Sequence, residues 1–371
     1  MLAAPLLALA LCPVTTIAAT TTAPPSAEQQ HYLALAEQGV ARSSAWRDTR
    51  RGWYDARLGD RERYPLATIW DIVPLFSSLD AIAIASPTPA HRRAVSRFAA
   101  GAERYLNRGL RPVPGYSPYP GDREAATQTW FDDNGWWGLG FIEAFRATGN
   151  RRYLTDAARA LAYVARVGWD PSTGGIWWNT AHPYKSGPAL ASGTLLATLL
   201  YQYTHSAYAL SQARRFLAWA NAGGFSQADG MYAGSSLDPT PVDYIEGPLI
   251  YAQATLCRLT GVSSECATAQ RVKSRALSRF GYLLDFSPQY DVIYLQWMLA
   301  LYSLEGDRSL YEMAADNARA AEGRAANLRG LYLMSWNGEV LPTVDALPGM
   351  LQTQAATTSL FAWLAVYPPP S

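Results

Sequence analysis

Apolar residues recur at helical spacing along most of the chain, and these runs come in pairs joined by short turns. The clearest pair is 136–148 with 151–167, separated by Gly149-Asn150. Comparable pairs are 193–203 with 206–220, 247–260 with 264–280, 290–304 with 309–323, and 68–85 with 90–107. Two further helical runs, 27–47 and 351–366, lie near opposite ends of the sequence and make a sixth pair if they meet. Six hairpins closed into a ring predict an all-α fold, the (α/α)6 toroid. In each pair the first run is poor in charge, whereas the second carries Arg, Asp and Glu at helical spacing. The first helices should therefore be inner and the second outer. Segments rich in Gly, Pro, Trp and Tyr separate the pairs at 52–64, 109–129, 168–187, 223–244 and 328–348. The repeat places them on one face, at the N-terminal ends of the inner helices, and binding is to be sought there.

A chain of 371 residues is long for one small domain, yet stacked hairpins can fill it with one continuous core, here expected over 27–371. Residues 1–19 are mainly apolar with small residues near the end, and a Thr/Pro-rich stretch follows. Residues 1–26 thus read as a signal peptide and short linker, which implies a secreted or cell-envelope protein without a membrane segment beyond the leader. Cys12 lies in that leader without the small residue before it that a lipoprotein site wants. Cys257 and Cys266, nine residues apart across a turn containing Gly261, are either a disulfide or two buried thiols. A formal charge of +1 supplies no electrostatic footprint for nucleic acid or anionic lipid. The 13 Trp and 22 Tyr exceed what a helical core needs, and flat rings with a polar handle suit sugar faces. A neutral glycan is the expected partner and a monomer the expected state.

The chemistry concentrates at Trp130-Phe131-Asp132-Asp133-Asn134-Gly135-Trp136-Trp137, where a long connection enters an inner helix. One Asp there is explained by capping a helix start, where a carboxylate also meets the positive end of the dipole. Two adjacent acids are harder to explain so. Neighbouring residues on a helix point about 100° apart, so the pair could flank a sugar from two sides. Glycoside hydrolysis needs one carboxyl protonated for the leaving oxygen and one ionised to attack or to activate water, and mutual repulsion can keep one of two close acids protonated.

The run from Trp130 to Trp137, continuing as Gly138-Leu139-Gly140, resembles the Asp-Asp-Asn-x-Trp-Trp signature of glycoside hydrolase family 76, which contains endo-α-1,6-mannanases. The resemblance extends to Gly174-Gly175-Ile176-Trp177-Trp178-Asn179, to Glu246-Gly247-Pro248-Leu249-Ile250 and to 351–356. It implies an (α/α)6 toroid and a retaining reaction with Asp132 as nucleophile and Asp133 as general acid/base. Three positions depart from the family pattern. Lys185-Ser186 stands where Lys-Asn is usual, Ser192-Gly193 where Ser-Asn is usual, and Glu246-Gly247 where Gln-Gly is usual.

Trp70-Asp71 and Asp243-Tyr244 occupy places in the repeat equivalent to Asp132, either as contacts to sugar hydroxyls or as helix caps. Glu246 divides in the same way. Trp177, Trp178 and Trp336 sit in Gly-rich connections and are expected to stack on sugar, with Trp130, Asn134, Trp136, Trp137 and Asn179 completing the candidate binding set. His182 is a weak candidate base for a lyase or epimerase. The His and Cys residues show no ligand spacing, and no cofactor or metal is expected. The leading expectation is a secreted hydrolase of α-mannan, with a wall-glycan transglycosylase or a non-catalytic glycan-binding toroid as alternatives.

Overall fold

The computed structural model describes residues 24–58, 66–227, 230–327, 330–338 and 349–370. The expected leader lies almost wholly outside these residues, as do Cys12 and much of the connections at 52–64 and 328–348. The described residues form twelve α-helices: α1 Ala27–Ser43, α2 Ile69–Ala85, α3 Pro89–Ala102, α4 Phe131–Thr148, α5 Arg152–Tyr163 and α6 Gly187–Thr204. The others are α7 Ala207–Trp219, α8 Asp243–Thr260, α9 Ser263–Phe280, α10 Pro288–Glu305, α11 Arg308–Arg324 and α12 Leu351–Val366. Local chemistry sets many of the boundaries. Ser26, Thr68, Thr88, Ser186 and Ser206 each accept a backbone N–H at a helix start. Gly149 ends α4 at φ 75°, a conformation that costs glycine little.

The even-numbered helices contact one another in the order α2, α4, α6, α8, α10, α12 and back to α2, which closes an inner ring. Odd-numbered helices pack outside them, and α1 lies on α12, so the two runs nearest the ends of the sequence do complete the sixth hairpin. Burial follows this division. All but a few residues of α6 and α12 are buried, whereas α9 buries only Ala269, Val272 and Ala276. The ring is an (α/α)6 toroid. A disulfide between Cys257 and Cys266 ties α8 to α9.

Three inner helices begin earlier than their apolar pattern: at Phe131 rather than 136, Gly187 rather than 193, and Asp243 rather than 247. Glycines and polar residues in these first turns look like breakers in sequence. In the ring they permit close contact, since a Cβ on Gly135 would stand 2.1 Å from Ser192 Oγ on α6. Conversely, α1 and α3 end earlier than expected, because the chain turns into small hairpins. Strands β1 Arg47–Asp48 and β2 Trp53–Tyr54 pair antiparallel, as do β3 Leu106–Asn107 and β4 Gly115–Tyr116. Single bridges Trp169–Ile176, Ser226–Tyr232 and Ala326–Tyr332 mark the same reversal after α5, α7 and α11. These hairpins lead the chain back to the N-terminal ends of the inner helices.

Candidate active site

Asp132 and Asp133 lie in the first turn of α4, and Asn134 fixes that turn to the connection before it. Its Oδ1 accepts the Tyr116 N–H at 2.8 Å, and its Nδ2 donates to the carbonyls of Tyr116 and Trp130 at 3.0 and 2.8 Å. The Phe131 N–H donates to the Trp178 carbonyl at 3.0 Å, so the Gly-Gly-Ile-Trp-Trp-Asn segment lies beside the acids. Fixed backbone on both sides holds two short side chains with few rotamers.

Both carboxyl groups line a cavity of about 730 Å3 whose walls include Trp70, Trp130, Trp178, Tyr184, Tyr244 and Tyr290. Trp178 stacks on Tyr184, with centroids 5.2 Å apart and planes 11° from parallel, and meets Trp130 edge-on at 6.2 Å. On the other side Tyr290 stands 4.6 Å from Tyr244 and 5.6 Å from Trp70. A cleft with aromatic walls and a few convergent polar groups suits a chain of sugar rings.

The two acids differ in electrostatic setting. Desolvation pushes Asp132 up to about 7, while backbone N–H groups of Asp132 and Asp133 and the Trp178 side chain favour its ionised form. Asp133 is held well above the usual carboxylate range by desolvation first, then by the charges of Asp132 and Asp71. Asp133 therefore holds its proton the more firmly, and Asp132 is the first of the two to ionise. Burial, then the charge of Asp132, keeps the Tyr244 and Tyr290 phenols protonated.

A family model described as glycosyl hydrolase family 76 matches residues 114–280, the segment that carries both acids and the Gly-Gly-Ile-Trp-Trp-Asn run. Over this segment, a little under half of its length, the chain is similar to glycoside hydrolase family 76. The structure of a family 76 α-mannanase from Bacteroides thetaiotaomicron matches with a TM-score of 0.80 at 17% identity, covering 90% of this chain and 95% of that one. An inactive α-1,6-mannanase variant from a Salegentibacter species, with two consecutive aspartates replaced by asparagine and α-1,6-mannotriose bound, matches with 0.72 at 16%, covering 90% and 99%. Dfg5 from Chaetomium thermophilum in complex with glucosamine matches with 0.73 at 14%, covering 92% of each chain. At these identities the likeness is one of fold. No curated protein matches the chain by sequence.

The candidate residues separate into two groups. Asp132, Asp133, Trp70, Trp130, Trp178 and Tyr244 meet in the cleft. The rest of the candidate set lies elsewhere. Trp137 is fully buried among Phe76, Phe98, Tyr105 and Phe141, and Trp336 is buried with its Nε1 donating to Thr357 Oγ1 at 3.0 Å. Neither ring is open to sugar, which corrects the stacking role expected of Trp336 and the binding role expected of Trp137. Trp136 lies behind Tyr244 at 6.5 Å, and Trp177 carries the Lys185 ammonium 3.3 Å above its ring. Lys185 also pairs with Asp170, so the Trp177 face is occupied. Asn134 spends its amide on backbone, and Asn179 Oδ1 accepts the Ala181 N–H at 2.9 Å. Glu246 is fully buried and accepts the Tyr232 N–H at 2.6 Å, the bond that Gln354 repeats with Tyr332 at 3.1 Å. Asp71 caps α2 in a box with Thr68, and Asp243 turns away to the next cavity. His182 stacks on Trp177 outside the cleft lining.

Gly193, where the family usually has Asn, is buried, and a Cβ there would stand 3.1 Å from Val164 Cγ1, so this departure leaves the cleft unchanged. Ser186, by contrast, lines the cleft beside Tyr184. Sequence reasoning missed Gln128, Tyr184, Asp238, Phe286 and Tyr290. Only Tyr290 carried a signal, as an aromatic in the first turn of an inner helix, like Trp70 and Tyr244. Among the described residues no group of three or more His, Cys, Asp and Glu side chains is placed to hold a metal ion.

Proposed function

We propose that this chain hydrolyses α-1,6-mannosidic bonds within mannan by a retaining double displacement, with Asp132 as nucleophile and Asp133 as general acid/base. One observation carries the reading: two neighbouring carboxyl groups line one aromatic cleft, and only Asp132 has donors that favour its anion. A nucleophile must be ionised and the acid protonated before the leaving oxygen departs, and the unequal settings assign those states. The fold shared with the α-1,6-mannanase from Salegentibacter, inactive when consecutive aspartates are replaced, supports both substrate class and residue pair.

In the first step the Asp132 carboxylate attacks the anomeric carbon while Asp133 gives its proton to the departing glycosidic oxygen. Asp133, now ionised, then takes a proton from water as that water displaces Asp132. The phenols of Tyr244 and Tyr290 stay protonated near Asp132 and offer donors to sugar hydroxyls. The apolar run at 1–19 and the Cys257–Cys266 disulfide support action outside the cytoplasm.

The test is incubation of the purified protein with α-1,6-, α-1,2- and α-1,3-linked mannans, with product sizes and the anomer first formed followed by NMR. Shorter α-anomeric products from the α-1,6 polymer alone support the proposal. Products longer than the substrate would show transfer to sugar in place of water, and no change in size would reduce the toroid to a binding module.

A further inference from the structure

Beside the cleft lies a second cavity of about 400 Å3, and Val242 and Phe286 line both. Asp243 and Asp291 stand on the wall of this second cavity. Asp243 opens α8, Asp291 lies in the first turn of α10, and these helices are neighbours in the inner ring. Both side chains are buried, with 3% and 1% exposure. One oxygen of each is held locally: Asp243 Oδ1 accepts the Tyr244 N–H at 2.7 Å, and Asp291 Oδ2 accepts the Ser287 N–H at 3.1 Å. Among the described residues, the remaining oxygens, Asp243 Oδ2 and Asp291 Oδ1, meet no N–H or O–H donor. Both acids lie on the wall of one cavity, and each carboxyl group is the other's hydrogen-bonding neighbour once one of them is protonated. Two carboxylates offer only acceptors, so such a bond requires a proton between them.

We propose that Asp243 and Asp291 share one proton as a brace between the first turns of α8 and α10, and so position the Tyr244–Tyr290 wall of the cleft against the bound sugar chain. Tyr244 directly follows Asp243 and Tyr290 directly precedes Asp291, so the brace sits one residue behind two rings only 4.6 Å apart. The inference rests on the reading of the cleft as a glycan site. Neither acid lines the cleft, and the pair is a positioning element, not part of the chemistry.

The titratable and charged groups around the pair are Asp285 before α10, Tyr244 and Glu246 on α8, Tyr290 and Tyr294 on α10, and Arg279 at the end of α9. Burial raises both acids, and the charge of Asp243 and then that of Asp285 raise Asp291 further, which favours keeping the shared proton. Arg279 lines the same cavity. Glu246 is occupied with the Tyr232 N–H. Where rising pH removes that proton, the bond becomes a repulsion and the two helix starts separate.

The experiment compares wild type, Asp291→Asn and Asp291→Ala from about pH 6 to about pH 9.5, reading KM and kcat on an α-1,6-linked mannooligosaccharide, melting temperature, and the Tyr244–Tyr290 separation in crystals. An Asn amide donates to Asp243 without a titratable proton. Asp291→Asn should keep a KM near wild type at pH 6 and hold it at alkaline pH, where the wild-type KM rises. Asp291→Ala should raise KM about tenfold at every pH, with a smaller change in kcat. Identical KM profiles for wild type and Asn, or wild-type binding by Ala, would overturn the proposal. The melting and crystal readings need no substrate and decide the brace even if mannan is not cleaved. A Tyr244–Tyr290 separation that is unchanged at alkaline pH would sink it, whereas inactivity of wild type would sink the mannanase reading alone.

Discussion

Gln352 Nε2 donates a hydrogen bond of 2.7 Å to the backbone carbonyl of Trp70. That carbonyl would ordinarily receive the N–H of residue 74, which is Pro74 and has none. The last inner helix thus supplies the donor that the first one lacks, across the seam where the toroid closes. The same bond steadies the backbone of a cleft aromatic. Gln352→Ala should lower the free energy of unfolding by about 1–3 kcal/mol, and Gln352→Glu should cost as much at neutral pH because a carboxylate cannot donate. Urea unfolding of the three proteins checks this; an unchanged midpoint for both variants would mean the carbonyl needs no donor.

Asp132→Asn and Asp133→Asn should each abolish mannan hydrolysis while leaving the circular dichroism spectrum and melting temperature close to wild type or higher. Asn fills the same volume at the helix start but neither attacks nor delivers a proton. With an activated mannoside that needs no acid assistance, Asp133→Asn should still accumulate a glycosyl-enzyme visible by intact mass, and Asp132→Asn should not. The reverse pattern would exchange the two roles.

The pH profile should place the optimum on the alkaline side of neutrality. Asp132 must be ionised, so kcat/KM should fall as pH drops through about 7, and the alkaline limb should appear where Asp133 loses its proton. Asp71 helps to hold that proton by its negative charge. Asp71→Asn keeps an acceptor oxygen for Thr68 and removes the charge, so the alkaline limb should move to lower pH. An alkaline limb that stays in place would show that Asp71 does not act on Asp133. For stability the sign is opposite to that of an ion-paired acid. Both carboxyl groups are raised in the fold, so the stability they carry is complete at acid pH, below their unfolded values, and is lost as pH rises through the folded ones.

Gly135→Ala should destabilise the protein by about 1–3 kcal/mol and reduce kcat, because its Cβ would meet Ser192 Oγ at 2.1 Å and push the turn that carries both acids. Ser192→Gly in the same chain should restore part of both losses, since it removes the atoms in conflict. A double-mutant cycle on melting temperature and kcat measures this, and simple additivity would rule out the contact as the cause.

The sequence alone determined the number and pairing of the helices, because periodicity records which side of each helix is buried. It also singled out Asp132 and Asp133 as the candidate pair, since two adjacent acids among four aromatics exceed what a cap requires. Neither periodicity nor composition could assign the individual aromatics: Trp137, Trp177 and Trp178 share one character in sequence, yet one fills the core, one lies under Lys185 and one faces the cleft. Which way each ring points depends on the angle between neighbouring inner helices and on the small hairpins that lead into them. Those are set by contacts far apart in the chain, such as Gly135 with Ser192 and Gln352 with Trp70. Tertiary structure likewise decided that Asp243 faces Asp291 while Asp132 faces the cleft, although both open inner helices. A local sequence fixes a helix start, but the solvation and partners of a carboxyl group belong to the neighbouring helices, and these settle which acid can react.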